Sequence, residues 1–147
     1  MVTGGAPRYQ LYTTADGRTL AAAPLEQKFW DSFCEAIGLE TALRDDTRDP
    51  AATQSAIAAK IKAKDAAHWS DVFEQADCCC TIVQTIQDAL DDPHFAARGV
   101  FRRRVRNGQG DTMRALPTPV ARTLAADPKA TASAPALGAD NDDFPSR

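Results

Sequence analysis

The sequence predicts an α+β chain: two β-hairpins and a short strand packed with about four helices, followed by an extended C-terminal tail. Three observations predict it. Strand-forming runs flank glycine-containing turns at two places, and the segments between them repeat their apolar residues at three- and four-residue steps. The regular strand–helix alternation of a parallel sheet is missing. The totals agree with one domain and a modest core, since the chain has 147 residues, 44% apolar and 25% charged, with net charge −3. Such a balance excludes a disordered or fibrous chain and names no partner.

Tyr9 to Thr14 is rich in strand formers, Asp16-Gly17 supplies a two-residue turn and Arg18 to Ala23 returns, which makes the first hairpin. After Pro24 the period changes. Phe29, Trp30, Phe33 and Ile37 share one helical face, which is expected to pack on that hairpin, and Gly38 stands where a helix stops. Asp49 as N-cap and Pro50 in the first turn open a second helix carrying Ile57 and Ile61 and ending near Lys64. Asp65 caps a third, whose apolar side is Trp69, Val72, Phe73 and Ala76. Cys78 to Val83 is short, apolar and β-branched at its end, as a buried strand is. Thr85 with Asp88 forms a capping box for a short helix through Leu90. Asp92-Pro93 starts a further helical turn that Gly99 stops. Asn107-Gly108, between extended stretches, marks the second hairpin.

Beyond Pro117 the composition shifts to Ala, Pro, Thr and Asp, so the chain divides into a small domain over 1–116 and an extended, partly mobile tail over 117–147. No run approaches the roughly 18 apolar residues of a spanning helix. The N-terminus lacks the layout of a secretory signal, and a cytoplasmic location is expected. Neither a GxGxxG after a strand nor a phosphate-loop motif occurs. The four cysteines, Cys34 and the consecutive Cys78, Cys79 and Cys80, lack zinc-site spacing, so no metal is expected and a reducing compartment suits them.

Three stretches carry a family resemblance. GGAPRYQLYTTADGRTLAAAPLEQKFW, ADCCCTIVQTIQDALDDPHFAARGVF and APALGADNDD resemble, in order and separation, the small-domain part of family III CoA transferases and 2-methylacyl-CoA racemases. The resemblance implies a coenzyme A thioester as substrate and no further cofactor. It implies that the catalytic aspartate lies on a larger N-terminal domain for which this sequence has no matching positions. In that family two chains interlock, and the small domain of one helps to form the pocket of the other. The expected partners are therefore an N-terminal large domain or a second copy of the enzyme chain, and acyl-CoA, with no nucleic acid and no membrane. The chain then reads as a split-gene subunit or a piece of a longer enzyme, inactive by itself. Whether the parent reaction is transfer or racemisation stays open.

Residue by residue, Glu26 in PLEQKFW matches the position of a glutamate that reaches the racemases' reacting centre, where a carboxylate can orient or tune an acid–base pair. Its plainer role is to favour the helix start. His68 and His94 read as structural or surface residues, and Cys79 as core packing. In FRRRVR, alternation places Arg102, Arg104 and Arg106 on one side of a strand and Arg103 on the other. Arg102 and Arg104 are candidates for a CoA phosphate, and the plainer reading is a charged hairpin edge. The function expected is a fragment or subunit that caps the active site of an acyl-CoA transferase or racemase. The alternative is a non-catalytic interaction module that keeps the small-domain fold.

Overall fold

A computed structural model describes residues 4–116, 119–121, 123–124 and 131–143. These residues fall into two compact units divided after Val83. Among the described residues the architecture is α+β, with two three-stranded sheets and five α-helices.

The first unit begins with β1 (Gln10–Thr13) and β2 (Thr19–Ala22), paired antiparallel with Thr13 opposite Thr19. The connection is longer than two residues. Thr14 N–H still donates to Arg18 C=O at 2.9 Å, which leaves Ala15, Asp16 and Gly17 in the loop, and Gly17 takes φ 81 to close it. The third strand, β3 (Cys80–Ile82), joins the free side of β2 antiparallel. It is shorter than the apolar run suggests because Cys79 sits at φ 54, outside any strand conformation.

Three helices cover one face of this sheet: α1 (Gln27–Ala36), α2 (Pro50–Lys62) and α3 (Ala66–Gln75). Helix α1 ends in a Schellman motif, with Gly38 at φ 65, Gly38 N–H on Glu35 C=O and Leu39 N–H on Cys34 C=O. Asp49 and Asp65 accept amide hydrogen bonds from Ala52 and His68, both at 2.9 Å, and so cap α2 and α3. Of the face expected to pack on the hairpin, Trp30, Phe33 and Ile37 lie in one cluster with Tyr12, Leu20 and Ala22, joined by Ile57, Ile61 and Phe73, whereas Phe29 is half-buried outside that cluster. Burying a side chain of this size stabilises by about 1.5–3 kcal/mol, a gain that the hairpin and α1 realise only within this shared core, to which α2 and α3 also contribute. Polar tips inside the cluster are satisfied. Trp30 Nε1–H donates to Arg44 C=O at 2.7 Å, Trp69 Nε1–H to Ile61 C=O at 2.8 Å and Tyr12 O–H to Pro7 C=O at 2.9 Å.

The second unit holds α4 (Ile86–Asp91), α5 (Pro93–Arg98), β4 (Arg104–Arg106), β5 (Thr112–Arg114) and β6 (Thr131–Ser133). The Thr85–Asp88 capping box is complete in both directions, and Asp92 accepts from His94 and Phe95 amides at the start of α5. The β4–β5 connection is again longer than a two-residue Asn-Gly turn. Asn107 Oδ1 accepts from the amides of Gln109 and Asp111, and Gly110, not Gly108, takes the left-handed conformation at φ 95. Strand β6, from the tail, pairs parallel with β4, so the sheet order is β5-β4-β6. Residues 117–118, 122, 125–130 and 144–147 of the tail lie outside the described residues.

Candidate functional site

Glu26 occupies the N-cap position of α1, with extended backbone at φ −76 and ψ 147. The chain enters the helix along a fixed path, because Pro24 is fully buried and Leu25 N–H donates to Ala23 C=O at 2.8 Å. Glu26 C=O accepts from the Phe29 and Trp30 amides, both at 3.0 Å, yet its side chain makes no capping hydrogen bond. Asp49 and Asp65 do accept from first-turn amides at the starts of α2 and α3, while favouring a helix start through the dipole needs no such bond. Glu26 instead points its charge into solvent.

Near the start of α1 the structure assembles a group that the sequence did not single out. Arg8 grips Asp46 with two hydrogen bonds of 2.9 and 2.8 Å, donates to Gln27 Oε1 at 3.0 Å and lies over the Trp30 ring at 4.7 Å. Gln27 in turn donates to Asp31 at 2.8 Å. Arg8, Gln27, Asp31 and Asp46 line a cleft of about 390 Å³. Their bonds are spent on one another, so the network clamps the N-terminal segment to α1 and to the loop after it. Residues 38 positions apart form its central ion pair, and no local sequence pattern signals such a contact.

The cysteines separate by environment. Cys34 and Cys78 are buried, Cys80 is half-buried and Cys79 is exposed. Cys79 is therefore not a core residue, because its left-handed backbone turns its side chain out between two inward neighbours. Burial pushes the Cys34 thiol up to about 12. The Cys80 thiol is also raised, by its interaction with the Cys78 side chain and then by burial. Both thiols are poor nucleophiles at neutral pH. His68 is exposed, edge-on to Trp69 at 5.0 Å, and His94 is exposed beside Phe95 at 5.9 Å, which are surface placements. Among the described residues no group of three or more His, Cys, Asp or Glu is placed to hold a metal ion, and no helix is long and apolar enough to cross a membrane.

In the second unit Arg104 and Arg106 share one face of β4 as alternation requires, and both are exposed. Arg102 precedes the strand and is not part of it. It nonetheless converges with Arg104, since both line a cleft of about 310 Å³ together with Arg114, Leu90, Phe95 and Phe101. Arg114 is the residue that reading the sequence missed. The longer loop sets Arg104 opposite Arg114 in the β4–β5 register. A two-residue turn at Asn107-Gly108 would have set Arg104 opposite Asp111 instead.

A family model described as "CoA-transferase family III" matches residues 2–141. Alpha-methylacyl-CoA racemase of Homo sapiens is 31% identical over 104 residues, which are 69% of this chain and 27% of the human protein. The Mus musculus racemase is 32% identical over 109 residues, with the same coverage of 69% and 27%. Among solved structures, Rv3272 of M. tuberculosis in an orthorhombic form superposes with a TM-score of 0.64 at 22% identity, covering 93% of this chain and 40% of its own. A mutant of the same mycobacterial protein gives 0.63 at 23% identity, with 95% and 40% coverage. The chain thus spans about a quarter of the length of the racemases it matches.

Proposed function

We propose a function for this chain from one premise: it belongs to CoA-transferase family III. The reading is a small domain that caps the active site of an acyl-CoA transferase or 2-methylacyl-CoA racemase, with the catalytic aspartate supplied by a larger domain. The observation that carries it is the match across residues 2–141. The likeness to two racemases favours exchange of the proton α to the thioester over acyl transfer. The substrate is an acyl-CoA thioester, and no further cofactor enters the reaction. The partner is the large domain, or a second copy of the enzyme chain in an interlocked dimer. The four cysteines are all free thiols and suit the reducing cytoplasm in which we place the reaction, within fatty acid metabolism.

Removing an α proton from a thioester needs a positioned base and stabilisation of the enolate that forms. In this reading both belong to the larger domain, and Glu26 is a positioning residue that reaches into the shared pocket. Its free carboxylate at the rigid entrance to α1 can accept a hydrogen bond from the acid–base pair and raise the proton affinity of a neighbouring group. Arg102 and Arg104 stand where guanidinium groups can meet a phosphate of the coenzyme.

The test supplies the chain with a partner carrying the family's large domain, then measures deuterium exchange into 2-methylacyl-CoA and complex assembly on the same sample. Glu26→Gln is expected to lower turnover per assembled complex by about tenfold or more while assembly is unchanged, since the charge is removed and the volume kept. Unchanged turnover removes Glu26 from the site. Assembled complexes that never turn over favour the non-catalytic interaction module instead.

A further inference from the structure

Arginines on an edge strand are commonplace, because charge there discourages further strand pairing. That account fails for Arg104 and Arg106, whose strand β4 is the central one, paired with β5 on one side and β6 on the other. Paired residues share a face of a sheet, so Arg104, Arg106 and Arg114 stand together. The pairs Arg106↔Thr112, Arg104↔Thr131 and Arg106↔Ser133 add three hydroxyls to the same face. Like charges directly opposite one another destabilise a strand pair. Nothing offsets this one: among the described residues, no ion pair or side-chain hydrogen bond engages Arg102, Arg104, Arg106 or Arg114. The acid of the intervening loop, Asp111, accepts from Asn107 Nδ2 at 3.0 Å.

The cleft beside this face has two kinds of wall. Arg102, Arg104 and Arg114 form the charged one, and Leu90, Phe95 and Phe101 the apolar one, with the two half-buried phenyl rings edge to face at 6.0 Å. Gly99 holds Arg102 in place by having no side chain, since a Cβ there would lie 2.9 Å from Arg102 Cδ.

We infer that this cleft and the adjoining arginine face bind a nucleoside diphosphate, with the phosphates on the guanidinium groups and hydroxyls and the base against Phe95 and Phe101. Guanidinium groups match phosphate oxygens in paired hydrogen bonds, and aromatic rings accept a base of any identity. A diphosphate placed between Arg104 and Arg114 converts their repulsion into shared attraction. Three guanidinium groups also match its charge better than that of a single phosphate. The inference deepens the coenzyme contact proposed above for Arg102 and Arg104 and rests on that reading for its biological ligand. What it adds is Arg114, the hydroxyl-bearing neighbours and the aromatic wall.

The test is calorimetric titration of the full chain with inorganic pyrophosphate, ADP, adenosine and a single-stranded oligonucleotide. ADP is expected to bind most tightly, adenosine most weakly, and ADP affinity should fall as salt rises. Arg104→Gln and Arg114→Gln should each weaken ADP by at least about tenfold, while Arg48→Gln in the first unit changes nothing. Arg114 is exposed on an edge strand, and its removal relieves the repulsion. The melting temperature of Arg114→Gln without ligand should therefore be unchanged or higher, whereas a structural arginine would lower it. ADP affinity equal in all variants, or no binding up to about 1 mM, overturns the site. Pyrophosphate binding as tightly as ADP overturns the aromatic wall, and an oligonucleotide binding more tightly than ADP overturns the nucleotide assignment. ADP binding without turnover in the assembled complex keeps this site and removes the acyl-CoA reading. Turnover indifferent to both arginine substitutions, without ADP binding, does the reverse.

Discussion

Asp16 shows what a single residue in a loop can hold together. Its Oδ1 accepts from the Thr14 hydroxyl and, at 3.1 Å, from the Ala66 amide, while Ala15 N–H donates to Lys64 C=O at 2.8 Å. The tip of the first hairpin is thereby tied to the junction of α2 and α3. The hydrogen bond from Thr14, helped by the Ala66 amide, holds the Asp16 carboxyl below its usual value of 3.8. A depressed folded-state pKa means the ionised form stabilises the fold above pH 3.8, and this contribution is lost as pH falls through the lower folded value. Asp16→Asn should therefore lower the melting temperature at neutral pH, and the gap to the parent should close as pH falls to about 2. Melting curves across that range check it, and a gap independent of pH would show that the carboxylate charge has no part. No local pattern signals this tie, because its partners lie 2 and 50 residues away and only folding brings the distant one near.

At the scale of elements, helix ends were legible and loop lengths were not. Asp49, Asp65, Thr85 with Asp88, and Asp92 all cap helices as the sequence predicts, since a capping bond spans only two or three residues. The first hairpin loop has three residues where the sequence predicts a two-residue turn, and the second spans Gly108 to Gly110 beyond the Asn107-Gly108 pair that marks it. In the second, the Asn107 side chain organises the turn from outside it, so the glycine that must turn left-handed is Gly110. Gly99, by contrast, was placed correctly as the end of α5, with φ 69 and Val100 N–H on Phe95 C=O at 3.0 Å. Gly99→Ala is expected to cost about 1–2 kcal/mol in urea unfolding, because an L side chain is strained at that φ. The same methyl group should displace Arg102 and weaken ADP more than the stability loss alone explains. Gly108→Ala has open space around it and should change neither quantity measurably. Equal effects of the two substitutions would refute this reading of α5 and its cap.

For the whole molecule, the decisive quantity is how much of its relatives' length this chain spans. It matches 27% of the racemases' length and 40% of the mycobacterial structure. In our reading the base and the enolate-stabilising groups are on the larger domain, so this chain alone is expected to show neither CoA transfer nor α-proton exchange. Incubation with 2-methylacyl-CoA in deuterium oxide tests this. Exchange above the buffer rate, abolished by a substitution within these residues, would contradict it.

By itself the sequence determined the α+β class, the helices and their caps, the packing of Trp30 and Phe33 against the first hairpin, and the family. Those features depend on periodicity, on bonds between near neighbours and on ordered motifs, all of which survive in a linear string. Tertiary structure alone decided that Cys79 faces solvent, that Arg8 clamps Asp46, and that β6 makes β4 a central strand. It also decided that Arg104 meets Arg114, because strand register follows from loop geometry, and a shift in pairing exchanges an acidic neighbour for a basic one.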